Sequence, residues 1–156
     1  MKFKLNFFII PLIVIAVSII GSFATNSGME WYDTINLPSF TPLGSVIGAV
    51  WTMIFILCAI SVLIIWNKIK HDKIFRIIIV LFLFNAFLNI FWSVLFFNQQ
   101  MIQASLIEIF ILNATTLALI ILVWPRSKLA SALLIPYFGW VSFASYLLYN
   151  IWQLNV

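Results

Sequence analysis

The sequence predicts an all-α integral membrane protein, a single domain built as a bundle of five transmembrane helices. Three observations predict it: composition, the length of the apolar runs, and the placement of charge. Hydrophobic residues make up 65% of the 156 positions and charged residues 8%, with a mean hydropathy of +1.18. A soluble domain is about one quarter charged, so this chain lacks the polar residues to cover itself in water. Its apolar residues gather into five runs, each close to the roughly 20 needed for a helix to cross a ~30 Å hydrocarbon core.

The first run, 5–23, follows Lys2 and Lys4 and ends near Ser22-Phe23-Ala24. Basic residues, an apolar stretch and small residues also describe a secretory signal. The run is long for a signal, so the expectation is a retained helix. Residues 25–42 form the one long loop, marked by Gly28, Glu30, Asp33, Pro38 and Pro42. The remaining spans are expected at 43–66, 75–97, 102–124 and 129–152. Their connections, 67–74, 98–101 and 125–128, are short, which predicts antiparallel neighbours. Lipid offers no partner to free backbone groups, so the spans must be helical.

Five crossings put Lys2, Lys4, Lys68, Lys70, Lys73, Arg76, Arg126 and Lys128 on one side, while the opposite loops carry Glu30 and Asp33. The positive-inside rule then predicts a cytoplasmic N-terminus and a C-terminus outside. The net charge of +4 is thereby read as topology rather than as a nucleic-acid surface, because the charges flank membrane spans. His71 lies in the same basic loop and is expected to be solvated. The single cysteine, Cys58, supports neither a disulfide framework nor a cysteine metal cluster and reads as a small packed hydrophobe. With one His, no HExxH, no Walker loop and no carboxylate pair except Glu30 and Asp33, hydrolytic and metal machinery is not expected, nor is any metal ligand set.

Polar residues inside the spans are the functional candidates. Asn85, Asn89, Trp92 and Ser93 fall at i, i+4, i+7 and i+8, on one helix face. Glu108, Gln103, Asn113, Thr115 and Thr116 follow in the fourth span, and Tyr137, Trp140 and Ala144 in the fifth. Such residues face the bundle interior, where they either bond helix to helix or line a site. Trp66, Trp124 and Trp152 sit at span ends, where an interfacial belt explains them. Trp51, Trp92 and Trp140 lie deeper. They serve either packing or the stacking of a flat, largely apolar ligand.

Trp31-Tyr32, Leu37-Pro38-Ser39-Phe40-Thr41-Pro42, Trp51, then Asn85, Asn89, Trp92, Phe96-Phe97, then Pro136-Tyr137, Trp140-Val141, Phe143-Ala144 and Ile151-Trp152-Gln153-Leu154-Asn155 run in order to the C-terminus. The series resembles the translocator protein family, also called tryptophan-rich sensory proteins, with Glu108 where that family usually has Asp. The resemblance implies a five-helix bundle, commonly homodimeric, that binds porphyrins such as protoporphyrin IX and synthetic benzodiazepine-type or isoquinoline carboxamide ligands. It implies a pocket lidded by the first long loop and built from Tyr32, Trp51, Phe55, Asn85, Asn89, Trp140 and Ala144. No further cofactor is implied; the porphyrin would be ligand or substrate. Likeness to bacterial members implies a bacterial cell membrane. It also raises light-dependent porphyrin breakdown, with Trp51 and Trp140 as the reacting indoles.

Departures from the pattern matter as well. The usual Pro-Pro is Pro42-Leu43, a common Tyr is Phe55, and an Asn frequent in the fifth helix is Leu148. The cholesterol pattern fails, since Leu147 and Tyr149 are followed by no basic residue, so cholesterol is not an expected partner. The function classes are therefore a tetrapyrrole-binding sensor, a porphyrin-degrading enzyme, and a transporter. No internal repeat of the kind many transporters carry is evident. Gly44 and Gly48 form a small-xxx-small pair that predicts helix packing or a dimer contact.

Overall fold

The computed structural model describes residues 5–156. Lys2 and Lys4, part of the predicted basic side, lie outside the described residues. The elements are α1 (Asn6–Ser27), α2 (Met29–Tyr32), α3 (Gly44–Lys68), α4 (Lys73–Ser93) running on into a π-helical turn Val94–Asn98, α5 (Ile102–Val123), α6 (Lys128–Ala132) and α7 (Ile135–Leu154). Among the described residues, five helical spans are long and apolar enough to cross a membrane: Asn6–Ser27, Gly44–Lys68, Lys73–Asn98, Ile102–Val123 and Lys128–Leu154. The protein is a multi-pass membrane protein. Its outward side chains agree, since Met53, Phe87, Phe110 and Ile121 are all exposed. A helix apolar on every face belongs in lipid or in a core.

Three boundaries differ from the sequence reading, each for a local reason. The first helix continues through residues 25–27, expected in the loop, because Thr25 and Ser27 return their hydroxyls to the carbonyls of Gly21 (3.0 Å) and Ala24 (2.8 Å). Gly28 then joins α1 to α2 where the chain meets the π turn: a Cβ there would collide with the Phe97 carbonyl oxygen. The third span ends in wider turns, with the Gln99 N–H on the Val94 carbonyl and the Met101 N–H on the Leu95 carbonyl. The last span is two helices, not one. Leu133 and Leu134 separate α6 from α7, and Pro136, which has no N–H to donate, opens α7.

The spans close a ring in the order α1, α3, α7, α5, α4. Two cores fill it. One, at the loop end, contains Ile54, Phe96, Leu112, Tyr137 and Val141; the other, at the basic end, contains Ile65, Ile78, Leu119, Val123, Ala130 and Leu134. At the basic end, hydroxyls sew α6 into its neighbours: Ser61 donates to the Ala130 carbonyl (2.8 Å) and Ser131 to the Ile120 carbonyl (2.7 Å).

The basic loops are joined by one ion pair. Arg126 binds Asp72 through two bonds, Nη1 to Oδ1 at 3.1 Å and Nη2 to Oδ2 at 2.9 Å. Asp72 also caps α4, accepting the Phe75 N–H at 2.9 Å. The Arg126 bonds, then the cap, lower its carboxyl to about 2. His71 is more than a solvated loop residue. Its ring stacks on Phe75 (centroids 4.0 Å apart) and its Nε2 donates to the Trp66 carbonyl at 2.8 Å, closing the last turn of α3.

Candidate ligand cavity

Where α3 stands off from α7, the ring leaves a cavity of about 970 Å³, bounded by α1, α3, α4 and α7, with Ile109 and Leu112 of α5 also lining it. From α3 come Gly44, Gly48, Trp51 and Phe55, which repeat about every helical turn and so present one stripe to the cavity. Trp51 and Phe55 lie 5.8 Å apart, tilted by 31°, and Trp51 meets Tyr137 edge-on at 6.0 Å. From α7 come Trp140, Phe143, Ala144 and Leu147, with the Trp140 and Phe143 rings 5.4 Å apart. From α4 come Asn89 and Trp92, and from the π turn Phe96 and Phe97; the Trp92 and Phe96 rings stack at 5.4 Å and 9°. The surface is largely apolar, with aromatic rings on several walls and a few polar atoms, as small-molecule pockets generally are.

The loop covers one end. Met29, Tyr32 and Pro42 line the cavity there. Tyr32 packs against Phe96 and Phe97, and burial, then the charge of Asp33, raise its phenol above the ordinary value. A reciprocal amide clasp ties the loop to the end of α7. The Asn36 N–H donates to Asn155 Oδ1, and Asn155 Nδ2 donates to the Asn36 carbonyl, both at 2.9 Å. Phe40 stacks on Tyr146 at 5.5 Å.

Of the residues named from the sequence, Tyr32, Trp51, Phe55, Asn89, Trp140 and Ala144 share this cavity, whereas Asn85 is not among its lining residues. The placement of Asn85 is a correction. One turn from Asn89, its amide Nδ2 donates to Thr115 Oγ1 (2.8 Å) and Thr116 Oγ1 (3.0 Å), and its Oδ1 accepts the Tyr137 hydroxyl (3.0 Å). Asn85 thus ties α4 to α5 and α7. Asn89 reaches the same hydroxyl more loosely, at 3.3 Å, and borders the cavity.

Sequence reasoning left Trp92, Phe96, Phe143 and the α1 wall out of the site. Trp92 was signalled, since it shares a helix face with Asn89. The α1 residues, among them Pro11, Ser18, Gly21 and Thr25, carry no pattern that sets them apart from an ordinary lipid-facing helix. Gly44 and Gly48 do not pack against another helix of this chain: nothing lies within 4 Å of where a Cβ would stand at either. Among the described residues, no three His, Cys, Asp or Glu side chains cluster as a metal site. Both carboxyl oxygens of Glu108, and the indole N–H groups of Trp92 and Trp140, are buried without a hydrogen-bond partner among those residues.

The model of the TspO/MBR family matches residues 8–153. The tryptophan-rich protein TspO of Archaeoglobus fulgidus is 36% identical over 92% of this chain and 93% of its own length. The protein of the same name from Bacillus cereus is 38% identical over 80% of each chain. The human translocator protein is 25% identical over 87% of this chain and 82% of its own. With the match spanning all five helices and the cavity they enclose, this chain belongs to the TspO/MBR family.

Proposed function

We propose that the protein is a membrane receptor whose cavity holds a flat tetrapyrrole of the protoporphyrin IX type, and that synthetic aromatic ligands compete for the same space. One observation carries the reading: a single cavity of about 970 Å³ with indole and phenyl faces on α3 and α7, and the Asn89 amide at its border. Planar aromatic ligands gain from offset or edge-on contact with such rings. The human relative is named a translocator, and a translocator too must bind its cargo.

The test is titration of detergent-solubilised protein with protoporphyrin IX in darkness, on the wild type and on Gly48→Leu. Gly48 lines the cavity, and a Cβ there has no protein atom within 4 Å, so the substitution extends a side chain from an open position on that wall. Saturable binding that falls at least about tenfold in the variant, at unchanged melting temperature, supports the receptor; equal binding by both places the ligand elsewhere.

A second reading has its own observation, which is that Trp51 and Trp140, from separate helices, line the same cavity. A bound porphyrin absorbs light and dioxygen is the oxidant, so the protein would need only to hold an oxidisable indole beside the ring. Trp51→Phe with Trp140→Phe keeps flat apolar surface and should retain affinity within about tenfold. Light-driven loss of the porphyrin band should largely disappear. Undiminished bleaching at full occupancy would leave the receptor reading alone.

A further inference from the structure

Away from the cavity, Lys73, Arg76, Ile77, Val80, Leu81 and Phe84 line a groove of about 540 Å³ on the outer face of α4. Counted from Lys73 they fall at +3, +4, +7, +8 and +11, one continuous stripe along a helix. Two cations stand at its head and the rest is apolar. Val80, in the middle, is 64% exposed.

Neither cation is explained by internal structure. Asp72, the one acid in the preceding loop, is taken by Arg126 and by the cap of α4, and that pair is the only salt bridge among the described residues. Cations in the first turn of a helix also work against its macrodipole. The positive-inside rule accounts for the sign of this end of the bundle, but not for two cations at the head of an apolar groove.

We propose that this face binds one anionic phospholipid, its phosphate between Lys73 and Arg76 and an acyl chain along Ile77, Val80, Leu81 and Phe84. From Arg76 to Phe84 the helix rises about 12 Å, most of the depth of one hydrocarbon leaflet. A phosphodiester supplies the charge the two side chains lack, and a chain fits the stripe beneath it. A second copy of the protein is a poorer occupant. Two-fold packing of parallel copies through this face would set Lys73 and Arg76 against their own counterparts.

The test is native mass spectrometry of protein taken into mild detergent from nanodiscs of phosphatidylglycerol and phosphatidylcholine. The wild type should retain phosphatidylglycerol preferentially. Lys73→Gln with Arg76→Gln should lower that retention at least about tenfold, because each cation near an anionic lipid surface contributes separately. Lys68→Gln with Lys70→Gln, which removes equal charge from the same end outside the groove, should leave it unchanged. Lys73→Arg with Arg76→Lys, which keeps both charges, should preserve it. Equal losses in the two glutamine pairs, or no lipid preference in the wild type, would overturn the proposal. So would a shift from monomer to dimer mass in the groove variant at unchanged lipid retention, which would mark a protein interface.

Discussion

Asn85 and Asn89 show how one face of one helix divides its labour. Both are buried, one turn apart, and both reach the hydroxyl of Tyr137. Asn85 has in addition two threonine hydroxyls opposite it on α5, so its amide is saturated by protein. Thr115 and Thr116 keep their bonds to the Leu112 carbonyl without that amide. Asn85→Leu should still remove the acceptor of the Tyr137 hydroxyl and the amide links to α5, and lower stability by about 1–3 kcal/mol, seen as a lower melting temperature in detergent. Asn89→Leu should cost less stability and act mainly on ligand affinity. The reverse ranking would mean that Asn85, not Asn89, faces the ligand.

At the scale of elements, the joints matter more than the spans. The junction of α1 and α2 lies against the π turn that ends the third span, and only a residue without Cβ fits at Gly28. Gly28→Ala should therefore destabilise the protein by about 1–3 kcal/mol, as overpacking does. Gly44→Ala, at an open helical position, should be neutral or slightly stabilising. Matched melting curves of the two variants compare them directly. At the opposite end, the Arg126–Asp72 pair links the two basic loops. The folded-state pKa of Asp72 is depressed from 3.8 to about 2. Its contribution is therefore full above 3.8 and is lost as pH falls toward 2. Arg126→Gln should melt below the wild type at neutral pH, and the gap should narrow as pH falls through that window. A pH-independent gap would assign the loss to packing of the arginine stem.

For the whole molecule, the connectivity places Lys68, Lys70, Lys73, Arg76, Arg126 and Lys128 at one end and the clasped loop at the other. We propose that the basic end is cytoplasmic and that the membrane is the cell membrane. Cysteines introduced at Ser127 should react only after permeabilisation of intact cells, and those at Asn98 without it. Opposite accessibility would invert the topology.

The number of crossings, the helical class and the sign of each end were legible in the sequence, because hydrophobicity, span length and charge are carried by neighbours along the chain. The aromatic composition of the cavity was legible too, through residues that repeat on helix faces. Other features depend on what stands opposite a side chain, and the chain alone does not state that. Asn85 separates from Asn89 only because Thr115 and Thr116 face the first. The α1 wall of the cavity exists because α3 stands off from α7, leaving room that neither helix encodes by itself. The loop is held by Asn155, 119 residues from its partner Asn36, a pairing of two ordinary amides that folding alone brings together. Local rules determine the elements; facing partners, supplied by the tertiary structure, decide which polar groups are left for a ligand.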